Sequence, residues 1–159
     1  GEWWRQLLGE PAELDDRMRV AEAAFERWQI GFPVWLEDET ARIYVAEADD
    51  GSLAGFVTAR RWGPPPIYEE SSEVYLDELF VRPEARRQGY GTQLVHAVRD
   101  WTDQLGARRI RLRVLTSNQS GRSFWAAQEA LPMSMTFTIE GNAPQDEGGS
   151  DEGSKKIGF

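Results

Sequence analysis

Apolar residues recur at helical spacing near the start of the chain and at alternate positions further on. A first stripe predicts a helix over residues 13–28 and consists of Leu14, Met18, Ala21, Phe25 and Trp28. Gly31 and Pro33 are expected to interrupt this helix, and Trp35 and Leu36 would then belong to a second short helix. The chain is therefore predicted to begin with helical structure.

Strands follow. Residues 43–47 and 53–60 are apolar runs joined by Asp49-Asp50-Gly51-Ser52, a sequence typical of a turn, so the two strands should pair antiparallel. The next strand is predicted over residues 73–81, and Pro83 should end it.

The second half of the chain alternates helix and strand. The clearest helix is predicted over residues 91–105, because its apolar residues share one face and Gly106 is well placed as a C-terminal cap. A strand over 109–115, a helix over 120–129 and a final strand over 133–140 follow. Hairpin and crossover connections both occur in this order, which favours an α/β fold with a mixed sheet.

Composition and charge limit the function classes. The chain has 159 residues, which suits one domain, predicted over residues 1–140; the acidic Gly/Ser-rich segment 141–159 is predicted to be a flexible tail. With no cysteine and a single histidine, His96, we expect no metal site. We expect His96 to be exposed.

The formal net charge is −9, so nucleic acid is not an expected partner. The longest apolar runs are too short to span a bilayer and no signal sequence is visible, so we expect a cytoplasmic protein without a membrane partner. The acidic surface favours cationic small molecules by long-range steering, or only aids solubility.

A strand, a glycine-containing turn and a helix start follow one another at residues 79–91. The first N–H groups of a helix have no internal partners and lie at the positive end of its dipole. Gly89 and Gly91 would let a ligand approach this backbone, and Arg86 and Arg87 add positive charge. The pattern predicts a phosphate or pyrophosphate site; the alternative is that the two glycines only make a turn.

Two common phosphate motifs do not fit this segment. A dinucleotide fingerprint needs a third glycine where the chain has Leu94, and a P-loop needs Gly-Lys-Ser/Thr after its first glycine. The segment Arg86-Arg87-Gln88-Gly89-Tyr90-Gly91 instead resembles the R/Q-x-x-G-x-G/A motif of the GNAT N-acetyltransferase superfamily. Residues 79–83 resemble the strand and loop before that motif, and Asn118 with Phe124-Trp125 resembles a later family segment.

This resemblance implies a central mixed, mostly antiparallel sheet with splayed parallel central strands, flanked by about four helices. It implies acetyl-CoA as co-substrate, with its pyrophosphate held by the backbone amides of Gln88, Gly89, Tyr90, Gly91 and Thr92. The backbone around Phe80 and Val81 would pair with the pantetheine arm, and Asn118 would touch the cofactor near that arm. The acceptor amine would attack the thioester directly, and the amides would polarise its carbonyl.

The chain departs from the family at the general acid. In many members a tyrosine after the phenylalanine protonates the leaving thiolate, but this chain has Trp125, whose indole cannot usefully release its proton. Tyr75, Tyr90 or water could substitute, or the thiolate could leave unassisted. Trp125 would pack either against the cofactor arm or in the core.

Asp77 and Glu78 precede Leu79 on opposite faces of the predicted strand. Carboxylates in a central strand are costly unless they are paired or hydrated. Residues 75–81 resemble the acidic pair of polyamine acetyltransferases and some related amine acetyltransferases. One carboxylate could bind a cationic amine or deprotonate it through water; the alternative is a carboxylate bonded to a neighbouring arginine or to loop backbone.

Other residues have weaker signals. Arg109, Arg111 and Arg113 share one face, which is either solvated, turned towards a second copy in a homodimer, or within reach of the adenosine phosphate. By resemblance, the acceptor pocket could be bordered by Phe32, Trp35, Trp62, Tyr68 and the loop Pro64-Pro65-Pro66. The alternative is that the aromatic residues belong to the core and the loop is only a stiff spacer.

The leading hypothesis is an acetyl-CoA-dependent N-acetyltransferase that acts on a primary amine, favoured to be that of a cationic small molecule because of the acidic pair. A protein N-terminal acetyltransferase is the rival within the class. A non-catalytic acyl-CoA-binding sensor is the rival outside it, since the usual tyrosine is absent.

Overall fold

The computed structural model describes residues 2–63, 72–139 and 141. In these residues two helices are followed by three strands, and then by a helix, a strand and a helix. The helices are α1 (Glu2–Leu14), α2 (Ala24–Leu36), α3 (Tyr90–Gln104) and α4 (Gln119–Ala127). The strands are β1 (Ala41–Glu47), β2 (Leu53–Trp62), β3 (Glu73–Val81) and β4 (Arg109–Arg111). Short 3₁₀ turns lie at Asp16–Met18 and Pro83–Ala85. The proline loop, Tyr68 and the acidic tail after Gly141 fall outside the described residues.

The strands form one mixed sheet in the order β1-β2-β3-β4. β1 pairs with β2 and β2 with β3 antiparallel, whereas β3 and β4 are parallel. The turn between β1 and β2 contains Gly51 at a φ of 78°, a conformation that glycine adopts without steric cost. The antiparallel hairpin and the mixed sheet are both confirmed.

Helix α3 packs on one face of the sheet and forms the core with it. Leu94, Val98 and Trp101 are buried on the helix, and the cluster that they join on the sheet includes Val57, Ala59, Val74 and Leu76. Each fully buried side chain of this size stabilises the fold by about 2 kcal/mol. Gly106 follows the helix with a φ of 62°, as its predicted capping role requires.

The prediction for the N-terminal helices was wrong in its boundaries. In place of one helix over 13–28, α1 ends at Leu14 and α2 begins at Ala24. The break follows from Asp15, whose carboxylate accepts the Arg17 backbone N–H at 3.1 Å and so starts a 3₁₀ turn instead of continuing the helix. Gly31 and Pro33 do not interrupt α2, and Trp35 and Leu36 belong to it.

The predictions after α3 were partly wrong. β4 ends at Arg111 rather than at residue 115, and α4 ends at Ala127 rather than at residue 129. Residues 133–139 alternate as a strand would, but they have no strand structure and all of them are exposed. Alternation alone does not make a strand, because the backbone groups also need a neighbouring strand. None of the helices in the described ranges is long and apolar enough to cross a membrane.

Candidate active site

The edge of β3 that faces β4 is paired over only part of its length. Glu73, Val74 and Tyr75 pair with β4, and from Leu76 to Val81 β3 runs on without a partner in β4. Among the described residues the second half of β3 therefore has no partner strand on this side, and we call the space beside it the gap. It borders Phe80 and Val81, the residues expected to pair with the pantetheine arm.

The pairing of β3 with β2 contains a β-bulge, two residues after the pairing of β3 with β4 ends. Thr58 of β2 pairs with Glu78 and Ala59 pairs with Leu76, so Asp77 is an extra residue in β3. A bulge of this kind bends its strand and increases the local twist. It also changes the alternation of side chains, so Asp77 and Glu78 do not simply point to opposite faces as a regular strand would require.

Gly55 allows β2 and β3 to approach closely next to the gap. A Cβ atom at this position would lie 2.4 Å from the Phe80 carbonyl oxygen. Since no real side chain tolerates that distance, the backbone around Phe80 depends on glycine in the neighbouring strand.

The loop between β3 and α3 is held by its own side chains. Arg86 Nε donates to the Val81 carbonyl at 3.0 Å, and the same guanidinium forms an ion pair with Glu10 of α1. Gln88 Nε2 donates to the Glu84 carbonyl at 3.0 Å. Arg86 and Gln88 thus brace the loop with their side chains.

Helix α3 begins without a side-chain cap. Gly89 is its N-cap residue at a φ of 91°, and Arg87 before it has a φ of 65°, so both lie in the left-handed region. The N–H groups of Tyr90, Gly91 and Thr92 in the first turn have no acceptor within the helix. A Cβ at Gly89 would meet no atom within 4 Å, so the backbone is open to an approaching group here. These features suit an anion such as a pyrophosphate.

Gly91 also has a packing role that the sequence did not predict. A Cβ at this position would lie 3.2 Å from the Phe124 ring, so the glycine lets α3 approach α4. Thr92 Oγ1 accepts from Gln128 Nε2 at 3.2 Å, which is a second link between the two helices. The start of α3 is therefore held in place by α4 and its C-cap residue, Gln128.

The α4 residues of the family-like segment have structural roles. Asn118 Oδ1 accepts the Gly121 backbone N–H at 2.7 Å and caps α4. Trp125 is partly buried, packs against the core cluster and meets the Phe124 ring edge-on at 5.0 Å between centroids. Tyr90 also packs against the core. Of the two alternatives for Trp125, the structure displays the core contact.

The two carboxylates at the bulge have different surroundings. Asp77 is paired with Arg60, whose Nε lies 3.1 Å from each carboxylate oxygen, and the same guanidinium lies 5.4 Å from the centre of the Tyr75 ring. Burial raises the pKa of Asp77, while the charges of Arg60 and Arg113 partly offset the rise. Asp77 thus matches the alternative of a carboxylate bonded to a neighbouring arginine.

Glu78 has no such ion pair in the described residues. Burial raises the pKa of Glu78, and the neighbouring Asp77 charge raises it further. A hydrogen bond with Thr58, directly opposite on β2, partly offsets these effects. A partly buried carboxylate with a raised pKa is the kind of group that serves as a general base near neutral pH.

Sequence reasoning missed Arg60, Thr58 and Glu73. The roles of Thr58 and Arg60 depend on the register between β2 and β3, and the role of Glu73 depends on the register between β3 and β4. They could have been found only by aligning the alternation of each pair of strands. The sequence also did not indicate that two residues of the arginine face, Arg109 and Arg111, bind the buried Glu73, although Arg109 and Arg113 remain exposed. His96 is exposed, as expected.

Comparisons with known proteins agree with this architecture. The model of the acetyltransferase (GNAT) family matches residues 3–128. The chain is 28% identical over 150 residues to thialysine N-epsilon-acetyltransferase of Bos taurus, which covers 87% of this chain and 84% of that protein. It is 32% identical over 93 residues to the uncharacterized N-acetyltransferase YhfO of Bacillus subtilis, which covers 57% of this chain and 58% of that protein.

Solved structures are similar in fold. A mutant of a Bacillus halodurans protein matches with a TM-score of 0.78 at 17% identity, covering 87% of this chain and 90% of that chain. An aminoglycoside N-acetyltransferase in complex with a bisubstrate analogue of CoA and acetylneamine matches with a TM-score of 0.67 at 21% identity, covering 89% and 91%.

The chain belongs to the acetyltransferase (GNAT) family. The family resemblance, the mixed α/β fold and the assignment to the acetyltransferase enzymes are thereby confirmed.

Proposed function

We propose that the protein transfers the acetyl group of acetyl-CoA to a primary amine of a small molecule. One observation carries this proposal: a single strand, β3, runs from the carboxylates Asp77 and Glu78 along an edge without a β4 partner to the loop before α3. One strand thus contains both the carboxylates that could activate the acceptor amine and the backbone that could bind acetyl-CoA. The donor and the acceptor would meet along that strand.

The described residues fit acetyl-CoA as co-substrate, which would supply an activated acetyl thioester. The amides of Gln88 to Thr92 would hold its pyrophosphate, and the exposed Arg87 would add positive charge nearby. The backbone of Phe80 and Val81 would pair with its pantetheine arm in the gap. Arg86 would act indirectly, by fixing the loop to the end of β3.

Glu78 is the proposed general base. An alkyl ammonium is mostly protonated at neutral pH and cannot attack until it loses a proton. The Glu78 carboxylate would take that proton, directly or through water. In the balanced reaction one N–C bond forms, one C–S bond breaks, and the departing sulfur takes up a proton from water or from Tyr75, which is only partly buried. The attacking nitrogen loses a second proton, which replaces the one given to sulfur, and the proton taken by Glu78 is released to solvent.

The proposed acceptor is a small molecule with a cationic amine. The names of two relatives support this class, because one acetylates the ε-amine of thialysine and the other acetylates aminoglycosides. The pairing of Asp77 with Arg60 leaves Glu78 as the carboxylate better placed to receive an ammonium group. We expect a cytoplasmic enzyme; its location and the homodimer stay predictions.

The test is thiol release from acetyl-CoA with a panel of polyamines, aminoglycosides, basic amino acids and short peptides. We expect release with one small-amine class, and its loss in Glu78→Gln. Glu47→Gln is the matched control, because Glu47 is an exposed carboxylate on another strand of the same sheet. Release with peptides alone would favour a protein N-terminal acetyltransferase. CoA binding without release on any amine would favour a sensor.

A further inference from the structure

Glu73 is the most deeply buried charged residue on the sheet, with a relative exposure of 1%. Arg111 Nε lies 2.8 Å from one of its carboxylate oxygens, and Arg109 Nε lies 3.2 Å from the other. A second nitrogen of Arg111 also donates to the carboxylate at 3.1 Å. A buried carboxylate needs such partners, and none of the three residues has a part in the proposed chemistry.

The three residues of this ion cluster lie in the short segment over which β3 and β4 pair. The paired residues are Glu73 with Arg109, Val74 with Ile110, and Tyr75 with Arg111. The strands part directly after the cluster, two residues before the bulge at Asp77. The cluster therefore lies at the closed end of the gap.

The cluster also reaches the next strand. Trp62 of β2 pairs with Glu73, and the Arg111 guanidinium lies 4.6 Å from the centre of the Trp62 ring. A guanidinium over an indole face is attracted by the ring electrons. Strands β2, β3 and β4 are thus linked at one point, and beyond it β3 stays paired with β2 but not with β4.

We propose that Glu73 is a positioning residue that fixes the separation of β3 and β4, and with it the gap that receives the pantetheine arm of CoA. Without its charge, Arg109 and Arg111 would face each other on one side of β4 with no counter-ion. The short pairing between β3 and β4 would then weaken. As a result, the backbone of Phe80 and Val81 would no longer lie at a fixed distance from the chain on the other side of the gap. The identity of the ligand in this proposal rests on the proposed function.

The test compares CoA with adenosine 3′,5′-bisphosphate, a fragment of CoA that lacks the pantetheine arm. Binding of both is measured by calorimetry for the native chain, Glu73→Gln and Arg111→Gln, with melting temperatures recorded alongside. Arg111→Gln leaves Arg109 to balance Glu73, so it tests the proposal even where Glu73→Gln does not fold. Asp15→Asn is the control, since it breaks an ion pair, with Arg17, that lies outside the sheet.

We expect CoA to bind about tenfold more weakly to Glu73→Gln and Arg111→Gln, with affinity for the fragment changed less than about twofold. Asp15→Asn should bind both ligands as the native chain does. Equal losses for CoA and the fragment, or no loss for either, would overturn the positioning role. A native chain that binds neither ligand would instead overturn the proposed function, and this inference with it.

Discussion

Asp77 and Glu78 are adjacent carboxylates that their surroundings make unequal. Arg60 pairs with Asp77 and partly offsets the effect of burial, whereas Glu78 has no ion pair in the described part of the chain and its charge is stabilised by a hydrogen bond with Thr58. Neighbouring acids in different environments commonly divide the roles of a site between them. We therefore assign proton removal to Glu78 and electrostatic support to Asp77.

The first prediction concerns the pH dependence of catalysis. Because only the ionised form of Glu78 can accept a proton and its pKa is raised, kcat/KM should rise as the pH increases through that raised pKa. Glu78→Gln should lower kcat/KM by about 100-fold or more and remove this rise. Asp77→Asn should keep the rise. Steady-state kinetics across the acidic range decide this, and an unchanged profile in Glu78→Gln would remove Glu78 from the role of base.

The second prediction concerns stability. A carboxyl group whose pKa is raised by folding stabilises the folded state below its unfolded pKa, and that contribution is lost as the pH rises through the folded pKa. Glu78→Gln should therefore melt at a higher temperature than the native chain at about pH 7, and the difference should shrink towards about pH 4. Thermal denaturation at both pH values measures this. If Glu78→Gln were instead less stable than the native chain at neutral pH, the Glu78 carboxylate would have a net favourable interaction in the folded state, which would contradict the prediction.

Among the elements, α3 combines the buried face and the proposed anion site. Its apolar residues lie against the sheet, and its first turn lies at the end of β3 with no side-chain cap. Glycines occur at both ends for the same conformational reason: φ is 91° at Gly89 and 62° at Gly106. Only the first of them belongs to the loop that resembles the family motif.

The third prediction uses these two glycines as a matched pair. Glutamate at either position strains a left-handed backbone, but only Gly89→Glu adds bulk and negative charge beside the free amides. CoA binding should be lost in Gly89→Glu and retained in Gly106→Glu, as measured by calorimetry. Equal affinity in the two variants would mean that the start of α3 does not hold the pyrophosphate.

The elements that the sequence predicted best have a strong local signal. α3 has a clear helical period and a capping glycine, and β3 is bounded as predicted by Glu73 and Val81. The errors arose where a nearby interaction competes with the pattern. Asp15 redirects the backbone after α1, and residues 133–139 alternate without meeting a partner strand within the described structure.

On the scale of the whole molecule, the site's backbone could be predicted and its side-chain partners could not. Residues 86–91 form a contiguous motif, so the position of this segment, after β3 and at the start of α3, followed directly from the sequence. The contacts of Arg60 with Asp77, and of Arg109 and Arg111 with Glu73, join residues far apart in the chain. They depend on strand register and on the bulge at Asp77, which no local pattern marks.

The fourth prediction concerns the domain boundary. The family match ends at residue 128, and the segment after residue 140 is acidic and rich in glycine and serine. A chain that ends at residue 140 should therefore keep the melting temperature and the CoA affinity of the full chain. Calorimetry and thermal denaturation of the two chains test this. A marked loss of either property would make the tail part of the domain.

The most direct test of the account is the mass of the acceptor after incubation with acetyl-CoA and the protein. Mass spectrometry should find one acetyl group on a primary amine of a small acceptor, formed by the native chain and not by Gly89→Glu. Gly106→Glu should form the same product. A native chain that binds CoA but leaves every amine of the panel unmodified would contradict the assignment as an N-acetyltransferase of small amines.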